Sequence, residues 1–86
     1  MRTGEDPTTN SLDEARSWLE FYRRLIEVEE RILSEMRSVA SGLPEAEREA
    51  VQSTNIRPMV EFIGELHDRM TFWLSREQTL MGEGDG

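Results

Sequence analysis

Residues 11–41 read SLDEARSWLEFYRRLIEVEERILSEMRSVAS, and their periodicity decides the fold. At a step of about 100° per residue from Leu12, the residues Ala15, Trp18, Leu19, Tyr22, Leu25, Ile26, Ile32, Leu33, Met36, Val39 and Ala40 fall in an arc of roughly 180°. Phe21 and Val28 extend one flank. A helix resting on one neighbour hides a strip of about 100°, so this one is expected to need two or three neighbours. Ser11 followed by Glu14 is the S-x-x-E capping pattern, which starts the helix at Leu12. Gly42 stands where a left-handed residue is wanted, and Pro44 prevents continuation.

Outward from this helix, the chain divides simply. Residues 1–10 mix Gly, Pro, Thr and acid without periodicity and read as a disordered leader. Pro44 opens a short connecting helix over 44–52, since proline is tolerated at the first helical position. Ser53, Thr54 and Asn55 are three successive N-cap candidates, so a second long helix is expected over 56–79. From Ile56, the residues Met59, Val60, Phe62, Ile63, Leu66, Met70, Trp73 and Leu74 occupy an arc of about 160°. Residues 82–86 read as a flexible acidic tail, leaving a helical domain over 11–81.

Composition narrows the function classes. Net charge is −8, with 18 acidic residues against 10 basic ones, all arginine. Nucleic acid and anionic lipid are read through basic faces, so neither is an expected partner. The absence of lysine removes Schiff-base chemistry, and the absence of cysteine removes disulfides and thiolate metal sites. The chain begins without the apolar segment of a signal peptide, and no run approaches the ~20 apolar residues of a membrane span. The expected location is cytoplasmic.

Two long helices joined by about 14 residues form an antiparallel helical hairpin, with both arcs wider than the seam between them. The expected fold is therefore all-α, with two hairpins pairing into a homodimeric four-helix bundle. Trp18, Tyr22, Leu25, Ile32, Met36, Phe62, Leu66, Met70 and Trp73 are the expected interface residues. A tetramer would use Phe21, Val28 and Phe72 for a second contact, and another protein docking on the same surface is the alternative occupant.

Two polar residues interrupt the arcs. If residue 41 pairs with residue 56, facing residues have numbers summing to about 97, which puts Glu29 level with His67. Three readings follow. The pair satisfies itself and fixes register; or two copies bring two Glu29 and two His67 together around zinc, iron or manganese; or His67, held by Glu29, does acid–base chemistry.

A short two-helix chain with Glu29 on one helix and His67 on the other resembles the encapsulated ferritin-like proteins in architecture. Their Glu-x-x-His pattern needs an acid at position 64, where this chain has Gly64. Glu65-Leu66-His67-Asp68-Arg69 is similar to the phospho-accepting segment of sensor histidine kinases, which requires His67 to face solvent, against its place in the apolar arc. Leu12-Asp13-Glu14 with Arg16 resembles small all-helical chorismate mutases, whose dicarboxylate site uses lysine as well as arginine. None of the three covers enough of the chain to assign a family. The expectation is a small non-enzymatic protein acting through protein contact, as a homodimeric adaptor or regulatory subunit without cofactor. A metal-binding or redox bundle using Glu29 and His67 is the alternative.

Overall fold

The computed structural model describes residues 4–85, without the side chains of 83–85. It is helical: α1 spans Leu12–Ser41, α2 spans Glu45–Val51, and α3 spans Arg57–Asp85. Between α2 and α3 the residues Gln52–Ile56 form a π-helical turn. α1 and α3 run in opposite directions, since Arg16 meets Glu77 at 3.1 Å and Glu30 meets His67 at 3.3 Å. The molecule measures 60 × 19 × 16 Å, a rod.

α1 begins as its sequence dictates. The Ser11 hydroxyl accepts from the Glu14 amide at 3.2 Å. The reciprocal half of the capping box is relayed through Thr9: its hydroxyl accepts from the Ser11 amide at 3.1 Å and donates to Glu14 Oε2 at 2.7 Å. The other end departs from expectation. Gly42 is right-handed, with φ −93° and ψ 0°. The last turn tightens instead, with the Gly42 amide donating to the Val39 carbonyl and the Leu43 amide to that of Ala40, both at 3.1 Å. This three-residue spacing satisfies terminal carbonyls without a left-handed residue.

The expected break before the second long helix is also absent, because 45–85 is one continuous helical run. Ser53 caps nothing; its hydroxyl turns back to the carbonyls of Glu49 and Ala50. In the wide turn the Arg57 amide donates five residues back, to the Gln52 carbonyl. Pro58 explains the location. In an unbroken α-helix its ring would crowd the carbonyl of Thr54, and the wider turn takes up that conflict while the chain stays helical. Downstream, α3 continues past the expected end at Thr79 to Asp85, so residues 82–85 of the segment read as a tail are helical, while Gly86 lies outside the described residues.

The seam between the long helices is a heptad pattern. Positions 15, 19, 22, 26, 29, 33, 36 and 40 of α1, and Ile56 of the wide turn with 59, 63, 66, 70, 73, 77 and 80 of α3, are all buried or half-buried. Steps alternating between three and four keep one narrow stripe facing the partner helix. Ala15, Leu19, Tyr22, Ile26, Leu66, Trp73 and Leu80 form the continuous core, with Trp18, Leu25 and Met70 packed on its edge. Glu29 and Glu77 are the acidic residues within the stripe.

The leader is the largest departure. Residues 4–10 fold back over the end of the pair remote from α2, and Glu5 and Thr9 are buried there. Asp6, Pro7 and Thr8 make a turn: the Thr9 amide donates to the Asp6 carbonyl, and the Thr8 amide and hydroxyl both donate to Asp6 Oδ1. The Thr8 hydroxyl, then its amide, hold the Asp6 carboxyl below its ordinary value. This stabilisation of the turn is present above the unfolded carboxylate value and is lost as pH falls through the depressed one. The first three residues of the expected leader lie outside the described residues.

Candidate interaction site

Two features differ from a plain helix pair: a buried polar clasp at the leader end, and open apolar grooves at the α2 end. The clasp is built on two seam residues with polar tips. Tyr22 and Trp73 have no exposed surface, and each tip requires an acceptor that neither helix supplies to it. Glu5 supplies it. The Tyr22 hydroxyl donates to Glu5 Oε1 at 2.5 Å, and the Trp73 indole N–H donates to Glu5 Oε2 at 2.6 Å. Trp73 also stacks on Trp18, with ring centroids 6.5 Å apart.

Two arginines one heptad apart on α3 complete the clasp. Arg76 donates from Nε and Nη2 to the Thr9 carbonyl at 3.1 and 2.8 Å. Arg69 borders the Tyr22 hydroxyl, and its Nη1 is buried without a hydrogen-bond partner among the described residues.

Burial pushes the Tyr22 pKa up, the Glu5 hydrogen bond adds to this, and Arg69 opposes it. The folded chain therefore holds the phenol proton more tightly than the unfolded chain. That stabilisation is complete below about pH 10 and is lost as pH rises through the higher folded value. The chain has one tyrosine, so phenolate absorbance reports it alone. Its midpoint should be higher in native protein than in denaturant, and the native value should fall in Glu5→Ala. Equal midpoints in buffer and denaturant would mean that the clasp does not form.

The open grooves flank α1 at the other end. One, of about 390 Å³, is lined by Ile32, Glu35, Met36, Val39, Val51 and Asn55. The other, of about 380 Å³, is lined by Glu30, Leu33, Ser34, Arg37, Val60 and Ile63. They are unequal in chemistry. On the first side α1 presents Trp18, Leu25, Ile32 and Val39 at one heptad position, a third apolar stripe beside the seam. On α3 that side carries Phe62, Arg69 and Arg76, again seven residues apart. The leader clasps the Arg69 and Arg76 half and leaves the rest open: Ile32 is 38% exposed, Phe62 39% and Val39 66%. On the second side, Val60, Leu74 and Met81 are also exposed. There α1 contributes Arg16, Arg23, Glu30 and Arg37.

The residues expected at an interface are thereby sorted. Tyr22, Leu66 and Trp73 are buried within one chain; Trp18, Leu25, Met36 and Met70 are half-buried; Ile32 and Phe62 are exposed. The Glu29–His67 pairing is corrected. His67 meets Glu30, one residue on, with both side chains about half exposed. The pair satisfies the expected sum of 97, but one step around a helix is about 100°, enough to move the contact from seam to rim. A solvent-facing His67 removes the geometric objection to the phospho-accepting resemblance, which still rests on five residues. Among the described residues, no three His, Asp or Glu side chains converge as a metal site within one chain.

The clasp escaped the sequence reading because its contacts span 17 to 68 residues. The available signal was the pair of polar-tipped aromatics on the two apolar arcs, facing a leader that carries acid. The chain matches no family model, and no curated protein or solved structure matches it.

Proposed function

We propose that this protein is non-enzymatic and works through protein contact, with two copies of the hairpin pairing into a four-helix bundle along the strip of Ile32, Val39 and Phe62. The observation that carries this reading is the third apolar stripe of α1. A helix pair in isolation needs two apolar positions per heptad; three per heptad is the pattern of a helix with more than one neighbour. The leader covers one half of that face, and the other half is open.

The exposed area fits a second copy. One chain exposes 5911 Å² at 10.0 kDa, whereas a compact monomer of that mass exposes about 5,200 Å². The excess of about 700 Å² is close to the ~800 Å² that each partner buries in a standard interface. Acidic and basic residues both border the strip, since Glu35 lines its groove and Arg31 stands one helical step from Ile32, so self-pairing can place opposite charges at the rim.

Light scattering across a concentration series tests this reading. The expected mass is twice 10.0 kDa at tens of micromolar, falling to one copy on dilution. Because each copy carries −8, added salt should move dissociation to lower concentration by screening like-charge repulsion. A fully helical single copy at every concentration and salt level would overturn it.

A further inference from the structure

The helix pair meets the leader with donors, and the leader answers with acceptors. α1 and α3 contribute the Tyr22 hydroxyl, the Trp73 indole N–H and the Arg69 and Arg76 guanidiniums. The leader contributes the Glu5 carboxylate, the Thr9 carbonyl and Asn10 Oδ1. Tyr22 and Trp73 are fully enclosed, and one of Arg69's nitrogens is buried without a partner among the described residues. Buried donors left without acceptors are destabilising, so this end of the pair is complementary to an anion with two acceptor oxygens.

We infer that the cleft between Tyr22, Arg69, Trp73 and Arg76 is a carboxylate-binding site, occupied in cis by Glu5 and able to accept a carboxylate from another source once Glu5 is withdrawn. This inference is independent of self-association through the Ile32, Val39 and Phe62 strip. The six residues between Glu5 and Leu12 act as a short tether, which gives the cis carboxylate an effective concentration in the millimolar range. A competing carboxylate must therefore be abundant, or presented on a chain that reproduces the contact of Thr9 with Arg76. The same chemistry has two sources: a small free carboxylate, or an acidic side chain on an extended peptide such as the leader of a second copy.

The test is chemical rescue in the full chain. Glu5→Ala empties the carboxylate position and leaves every donor in place. Acetate or propionate, against chloride at equal ionic strength, should raise its melting temperature by about 4–8 °C and shift the indole proton of Trp73, assigned by comparison with Trp18→Phe. Glu5→Gln fills the position with an amide and should show neither response. A free peptide of residues 4–10 forms the second arm. Rescue by acetate identifies the anion itself as the ligand, and rescue by the peptide alone identifies a carboxylate on an extended chain. If Glu5→Ala does not fold in chloride, the readout becomes helicity recovered with acetate or peptide. No rescue by either probe overturns the inference and leaves the donors with a structural role alone.

Discussion

Trp73→Ala should lower the stability of a single copy by about 4–6 kcal/mol, enough to leave much of the dilute chain unfolded. Removing a buried tryptophan costs about 3–5 kcal/mol through lost transfer energy and the cavity left behind. Trp73 has no exposed surface, stacks on Trp18 and meets Phe72 edge-on at 5.1 Å, so two aromatic neighbours lose contacts together. The indole N–H is also one of the donors to the buried Glu5 carboxylate, and its loss adds roughly 1 kcal/mol or more. The total stability of an 86-residue domain is about 4–13 kcal/mol on general grounds, so the loss is comparable with the whole. Urea melts followed by helicity measure it. Trp73→Phe separates the contributions: it keeps a ring and drops the N–H, and should cost about 1–3 kcal/mol. A loss below about 2 kcal/mol in Trp73→Ala would show that the aromatic cluster is not the centre of the core.

The sequence carried some of this arrangement and hid the rest, for identifiable reasons. Local rules placed the start of α1, because Ser11 and Glu14 act within one turn. Local rules failed at Gly42 and at Ser53, where two conformations satisfy the same backbone groups and tertiary packing chooses between them. Three consecutive good caps read as a helix start, yet a wide turn let the chain remain helical around Pro58. The apolar arcs announced buried faces but merged the narrow seam with the third stripe beside it. That merging put Tyr22, Leu66 and Trp73 in the same expected class as Ile32 and Phe62, although three are enclosed by one chain and two face solvent. The leader was illegible for a different reason: Gly, Pro, Thr and Asp specify turns locally, and nothing local says that Glu5 will find donors on both long helices.

That distinction between seam and strip makes the second large effect specific. The double variant Ile32→Glu with Phe62→Glu should weaken self-association at least 100-fold, about 2.8 kcal/mol or more, while leaving the helicity and melting of the single copy nearly unchanged. Both positions are more than one third exposed in one copy, so a charge there stays hydrated until a partner arrives, and surface changes of this kind move stability by about 0.5 kcal/mol or less. At a paired strip the same carboxylates would be stripped of water against apolar side chains, with no cation seated to receive them. The comparison variant is Ser17→Glu, an exposed position of α1 away from both grooves, which adds charge without entering the strip. Ser17→Glu should dissociate slightly more easily than the parent at low salt and equally at high salt. The double variant should stay weakened at every salt concentration, because its penalty is desolvation at the strip rather than long-range repulsion. Sedimentation at several salt levels reads both behaviours. A double variant that still associates like the parent would move the contact to another face, with the Val60, Leu74 and Met81 side next in apolar exposure.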